Sequence, residues 1–366
     1  MVKLRCERDV LVEALSTAGR ATAGRGGALP VLSGIRLELS GDNLTMTGTD
    51  LDLTISVECE VAGAADGVAV APGRLVTDIV RALEPGAVTI DADDDDLRIT
   101  SGRSQFSVRT HPAVDFPRIP SPSGETVTLP VEGLADALRQ VVRAASTEDS
   151  RPILTGVLMA AEDAGLRLVS TDSYRLAVRD LAGLGVLAAD QKVLVPSRAL
   201  NELGRILGGS GEVSLRLGRH DATFTAGRVT LTTRLIEGEF PNYRQLIPPA
   251  YPNKLTVGRE SFLDAVRRVK LLAREPTTPV RIALRPDGIQ LAVITADWGT
   301  ATEDVDAKYE GAEMTVAFNP AYLIDGIDAI VGDEVVLSTL DALKPATLTP
   351  TEGSAYLYLL MPVRVS

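Results

Sequence analysis

The sequence predicts an α+β fold repeated three times along the chain, each copy carrying two amphipathic helices among many short strands. Three observations predict it. Gly48-Thr49-Asp50-Leu51-Asp52-Leu53 returns as Ser170-Thr171-Asp172-Ser173-Tyr174-Arg175-Leu176 and more faintly as Thr295-Ala296-Asp297-Trp298, so Asp50 and Asp172 lie 122 positions apart and Asp172 and Asp297 lie 125 apart. Leu29-Pro30-Val31-Leu32-Ser33-Gly34 returns as Arg151-Pro152-Ile153-Leu154-Thr155-Gly156, again at 122, with an echo at Thr278-Pro279-Val280-Arg281-Ile282. Phe116-Pro117-Arg118-Ile119-Pro120 matches Phe240-Pro241-Asn242-Tyr243 through Ile247-Pro248, with the two phenylalanines 124 apart. This interval is domain-sized and far exceeds the roughly 20–50 residues of a solenoid unit. The copies span 1–122, 126–248 and 254–366, which suits a chain of 366 residues, too long for one core.

Each copy repeats one order of elements. A strand leads into an amphipathic helix at 8–17, 131–145 and 260–273, where apolar residues such as Leu134, Leu138, Val141 and Val142 recur at helical spacing. Alternating segments follow, including 34–39 and 166–169, and read as strands. A second helix starts behind Pro72, Pro196 and Pro320, each 124 positions from the next. Proline loses no hydrogen bond in a first helical turn, so these are start signals. More strands close each copy. The run Asp93-Asp94-Asp95-Asp96 between Val88-Thr89-Ile90 and Leu97-Arg98-Ile99 reads as a solvated hairpin turn. The linkers at 121–125 and 248–253 are short, polar and stiffened by proline. Open sheet edges are expected to continue by strand pairing across each boundary between copies.

Composition excludes several classes. The 37 basic residues face 49 acidic ones, for a net charge of −12, so any nucleic-acid role requires local segregation of charge. No apolar run approaches the roughly 18 residues of a membrane helix, and the charged N-terminus lacks a signal-peptide core. Cys6 and Cys59, the only two cysteines, read as reduced buried thiols of a cytoplasmic protein. His111 and His220, the only histidines, stand beside no nucleophile and at no metal-ligand spacing. None of the six lysines follows a glycine, so the phosphate-loop signature is missing, and Gly208-Gly209-Ser210-Gly211 reads as a helix stop. Asp50, Asp172 and Asp297 fall in separate copies, which favours turn capping over catalysis. A repeat-built hydrolase or saccharide binder would need a carboxylate or aromatic cluster, and the chain has one tryptophan, Trp298. Neither catalytic activity, metal nor cofactor is expected.

On these motifs, together with Gly238-Glu239-Phe240-Pro241-Asn242-Tyr243, Phe318-Asn319-Pro320-Ala321-Tyr322 and Leu360-Met361-Pro362-Val363-Arg364, the whole chain resembles the bacterial DNA polymerase III beta subunits, the DNA sliding clamps. The resemblance implies clamp domains of two helices packed on antiparallel sheets. Two three-domain chains then close head to tail into a homodimeric ring around duplex DNA. Six like units close a ring at about 60° each, the closed alternative to a head-to-tail filament. Implied partners are duplex DNA, the polymerase III catalytic subunit, a clamp loader, and other replication and repair proteins. At the dimer seam the resemblance sets Arg103 and Phe106 against Leu271 and Leu272 of the second chain. The helices and one loop offer Arg25, Arg74, Arg81, Arg139, Arg143, Arg198, Arg205, Arg267, Arg268 and Lys270 to phosphates, in sequence-independent, salt-weakened contacts. The second helix of copy three breaks this pattern with Asp325 and Asp328.

A partner-peptide pocket is implied between copies two and three. Its matching positions are Arg151, Leu154, Thr171, Ser173, Tyr174, Arg175 and Leu176, then Pro241, Gln245 and Leu246, then Asn319, Tyr322, Leu343, Leu359, Leu360, Met361, Pro362, Val363 and Arg364. An apolar cleft rimmed by a few polar groups suits a short peptide, and methionine repacks for several partners. Tyr174 stands where the family commonly has histidine, and Gln245 where it has a basic residue. Such changes also fit a clamp paralogue with a reshaped pocket, for instance one that escapes a clamp-binding inhibitor.

Overall fold

A computed structural model describes residues 1–24, 29–162, 165–208, 211–275, 277–352 and 355–364. Copy one contains β1 (Val2–Glu7), α1 (Arg8–Ala18), β2 (Gly34–Ser40), β3 (Asn43–Thr49), β4 (Leu53–Glu60), β5 (Ala62–Ala65), β6 (Gly67–Pro72), α2 (Gly73–Ala82), β7 (Ala87–Ala92), β8 (Asp96–Ser101) and β9 (Ser104–Arg109). Copy two repeats the order without a counterpart of β5 among the described residues. It runs β10 (Thr126–Pro130), α3 (Val131–Val141), β11 (Gly156–Glu162), β12 (Gly165–Thr171), β13 (Arg175–Ala182), β14 (Lys192–Pro196), α4 (Ser197–Ile206), β15 (Glu212–Leu217), β16 (Asp221–Ala226) and β17 (Val229–Arg234). Copy three has β18 (Asn253–Gly258), α5 (Arg259–Val269), β19 (Val280–Arg285), β20 (Gly288–Thr295), β21 (Gly299–Val305), β22 (Ala307–Glu310), β23 (Met314–Phe318), α6 (Pro320–Ala329), β24 (Glu334–Thr339), β25 (Ala346–Pro350) and β26 (Tyr356–Leu360).

The local chemistry explains these elements. On β4, Leu53, Ile55, Val57 and Cys59 are buried in alternation, the period of a strand with one face covered. On α1 the buried set is Leu11, Ala14, Leu15 and Ala18, the three-four spacing of a helix with one apolar stripe. The aspartate run forms a hairpin turn between β7 and β8, in which the Asp93 carboxylate accepts the amides of Asp95 and Asp96 at 3.0 and 2.8 Å. Those two hydrogen bonds, the Asp96 amide's first, hold its pKa below the ordinary carboxylate range.

Three sequence expectations shift in detail. Regular helix in α3 begins later than residue 131, because Glu132 is extended and Gly133 takes φ +82°, a left-handed conformation that suits glycine. Pro320 occupies the first turn of α6, but Pro72 is the residue before α2 and Pro196 closes β14. In α6 the Asn319 side chain accepts from the Ala321 and Tyr322 amides and caps the helix.

The strands of each copy divide into two groups, and the groups splice across copies by antiparallel pairing. One five-stranded sheet holds β5-β1-β7-β8-β9 of copy one. An eight-stranded sheet, β10-β15-β16-β17-β4-β3-β2-β6, joins copy two to copy one where β17 pairs β4. A nine-stranded sheet, β14-β11-β12-β13-β26-β25-β24-β18-β22, joins copies two and three where β13 pairs β26. The four-stranded sheet β21-β20-β19-β23 remains in copy three. Strand pairing across the copy boundaries therefore occurs as the open edges required.

Packing follows the splicing, so two compact units cut through copy two. The first comprises Met1–Val131 with Glu202–Leu235, and the second Glu132–Asn201 with Ile236–Ser366. In the first, α1 packs on α2 and on β3 and β4. In the second, α5 packs on α6 and on β20 and β21. Helix and sheet meet closely. A Cβ on Gly48 would lie 2.1 Å from the Ala18 carbonyl oxygen, so only glycine lets β3 reach the end of α1. At the repeat-related position in copy two, the Ser170 hydroxyl donates to the carbonyl of Val141 at the end of α3.

Candidate functional site

The repeated Thr-Asp motif is a turn device. Thr49, Thr171 and Thr295 each donate a hydroxyl proton to the carbonyl four residues on, those of Leu53, Arg175 and Gly299. Asp50 accepts the amides of Asp52 and Leu53, and Asp172 those of Tyr174 and Arg175. In copy three the faint motif differs: the Thr295 hydroxyl accepts the Trp298 amide three residues on, whereas Thr49 and Thr171 accept those of Leu51 and Ser173 two residues on. Leu51 and Ser173 take φ near +80°, strain that these bonds offset.

Around the copy-two turn the structure gathers most of the proposed pocket positions. The Tyr174 carbonyl accepts the Met361 amide at 2.9 Å, and Val363 donates to the Ala317 carbonyl at 2.8 Å, which lays the C-terminal segment beside the turn. Below it Leu176 and Leu359 face each other in register and share a core with Leu158, Val169, Val178, Leu194 and Tyr243. Leu154, Leu176, Leu359 and Leu360 are buried, so they form floor rather than contact surface. Tyr174, Leu246, Leu343 and Met361 are the large apolar side chains left exposed, at 58%, 48%, 63% and 40%. Ser173, Pro241, Gln245 and Arg364 are exposed as well. Leu246 ends a short helical turn (Tyr243–Leu246) anchored by buried Tyr243, and the Asp341 carboxylate caps the Leu343 and Lys344 amides. Arg151 donates to the Ser173 hydroxyl and pairs with Glu148 at 2.8 Å. Thr171 is spent on the turn, and Asn319 on capping α6.

Arg175 is placed differently from the other polar members. Its side chain is only 10% exposed and points inward: Nε donates to Asp172 at 3.0 Å, and Nη1 to Asp325 at 2.6 Å and to the Tyr358 hydroxyl at 3.3 Å. The guanidinium lies 4.3 Å from the centre of the Tyr322 ring. Burial alone opposes its charge, but Tyr358, Asp325 and Asp172 outweigh that and raise its proton affinity.

The arginines expected to face phosphates are on the surface and mostly carry an acidic neighbour. Arg74 and Arg81 flank Asp78, and Arg81 also donates to Ser16. Arg205 pairs with Glu202 at 2.8 Å, and Arg268 with Glu303. Arg143 reaches Asp328 at 2.8 Å and Asp325 at 4.0 Å, Arg267 reaches Asp328 at 3.7 Å, and Arg139 donates to the Asp328 carbonyl at 3.2 Å. Arg198 is exposed and Lys270 half-buried. Arg25 lies outside the described residues. At the expected seam, Phe106 is 41% and Leu271 73% exposed, Arg103 is exposed and Leu272 half-buried.

Known families fit this arrangement over nearly the whole length. The models of the DNA polymerase III beta subunit N-terminal, central and C-terminal domains match residues 2–120, 128–242 and 244–364 in turn. The chain belongs to the DNA polymerase III beta subunit family. The beta sliding clamp of Streptomyces coelicolor is 36% identical over 378 residues, covering 100% of both chains. The sliding clamp of Bacillus subtilis superposes with a TM-score of 0.91 at 29% identity, and the Bartonella birtlesii clamp bound to griselimycin with 0.91 at 30%, each over 100% of both chains.

Within this beta-subunit fold, the residues that sequence reasoning missed are acids. Asp325 and Asp328 seemed only to interrupt a basic pattern, yet they are the counterions of Arg175, Arg143 and Arg267. The signal available was that both sit on one helix with no basic residue of its own. Tyr358, buried at the hub of the same network, gave no sequence signal beyond an aromatic in a strand.

Proposed function

We propose that the chain is a sliding clamp, a processivity factor that encircles duplex DNA as a closed homodimer and tethers DNA polymerase III by a peptide pocket. The observation that carries the ring is the strand arithmetic. Both internal junctions join one copy's four-strand group to the next copy's second group, through β4–β17 and β13–β26. The leftovers are a five-stranded sheet ending in β9 and a four-stranded sheet ending in β21, the repeat equivalents of β17 and β4. Pairing β21 of one chain with β9 of the next completes a third spliced sheet and removes the last matching edges, twice per dimer.

The three copies, 1–122, 126–248 and 254–366, are then the ring's domains. Duplex DNA and the polymerase are its partners, and a clamp loader and further repair proteins share the pocket. Tyr174, Leu246, Leu343 and Met361 take a partner's aliphatic anchors over the buried leucine floor. The arginines of the helices contact phosphates weakly, which suits sliding, because topology holds the duplex. The chain acts without catalysis of its own, in the reducing cytoplasm, as its two free buried cysteines suit. Substituting residues 361–364 tests the pocket: polymerase stimulation should be lost while the dimer persists, and undiminished stimulation refutes the assignment.

A further inference from the structure

We propose that Asp325, on α6, is a positioning residue for the partner pocket. The inference rests on the pocket reading above and concerns how that pocket keeps its shape. Arg175 closes the Thr-Asp turn with its side chain only 10% exposed, so its charge needs counterions there. Asp172 is already occupied: one oxygen holds the Tyr174 and Arg175 amides, the other takes Nε. Nη1 is left to Asp325 at 2.6 Å. The Tyr358 hydroxyl gives its proton to the Tyr322 carbonyl and accepts from the same Nη1, which fixes the guanidinium over the Tyr322 ring.

Helix α6 is seated tightly enough for this to matter. A Cβ at Gly326, next to Asp325, would fall 2.5 Å from the Tyr358 ring, so α6 and β26 touch with no room between them. The turn that Arg175 closes also carries Tyr174, whose carbonyl holds the Met361 amide. Moving Arg175 therefore shifts two exposed walls of the pocket together, although Asp325 lines neither. The other oxygen of Asp325 is 4.0 Å from Arg143, one of the arginines assigned to phosphates. The pocket and the DNA-facing row thus meet at one carboxylate.

The test is a double-mutant cycle on the full-length dimer, with Arg175→Lys and Asp325→Asn singly and together. Affinities for griselimycin and for the intact polymerase III catalytic subunit are measured beside dimer mass and thermal unfolding. Asp325→Asn should weaken both ligands about five- to tenfold, in the range of coupling through a packed network. The double variant should lose no more than Arg175→Lys alone. Wild-type affinity in Asp325→Asn, or losses that multiply in the double variant, would overturn the proposal. If the asparagine variant fails to assemble, Asp325→Ser must lose affinity and Asp325→Glu must keep it; the reverse overturns it equally. A wild-type chain that captures neither ligand brings down the pocket reading and this inference with it, whereas losses confined to the variants isolate the inference.

Discussion

Replacing Phe106 by alanine should open the ring. Phe106 lies on β9, the edge strand left over by the splicing, and is 41% exposed in the single chain. A phenylalanine side chain offers about 200 Å² for burial, so about 80 Å² remains to be covered at the seam. At ~25 cal/mol per Å² that covering contributes about 2 kcal/mol. A two-fold ring has two seams, so dissociating it forfeits about 4 kcal/mol, close to a thousandfold in the dimer dissociation constant. Sedimentation equilibrium over a dilution series reads this directly. Val114, 91% exposed and off the edge strand, is the control and should leave the dimer unchanged on replacement by alanine. A Phe106→Ala shift below tenfold, or an equal shift for Val114→Ala, would refute the seam.

Further outcomes are expected. Gly48→Ala should destabilise by about 2–3 kcal/mol, since its Cβ would meet backbone of α1 that cannot swing away. Gly204→Ala, inside α4 with open space around it, should stabilise by about 0.5–1 kcal/mol, so the two urea midpoints move in opposite directions. Burial pushes the Cys59 thiol from its ordinary value near 9 up to about 11. The unfolded chain therefore sheds that proton first, and stability falls as pH rises from 9 to 11, by about 2–3 kcal/mol. Cys59→Ala should remove that part of the slope in unfolding measured across the window, and an unchanged slope would show that Cys59 is not its source.

Much of the fold was legible because the repeated residues do repeated physical work. The threonine and aspartate of the turn recur in copies one and two since both reverse the chain there through a strained residue, Leu51 or Ser173. The third copy was faint because there Thr295 alone accepts the amide and Asp297 is not needed for it. Splicing of sheets could be expected from open edges, but not that it would cut copy two between two compact units. For the proposed pocket the sequence offers positions but not their exposure: Leu154, Leu176, Leu359 and Leu360 turn out to be buried. Arg175 reads like a solvated cation on a turn, and only the structure brings Asp325, 150 residues away, against it. A helix with acids and no bases shows charge on one face but cannot name the arginines that neutralise it from elsewhere.

Retention on DNA of two topologies tests the central claim most directly. Loaded onto nicked circular duplex, the protein should stay bound through a high-salt wash and be released when one restriction cut linearises the circle. Equal retention on circular and linear DNA, or release from both by salt alone, would contradict encirclement and leave only a surface-bound protein.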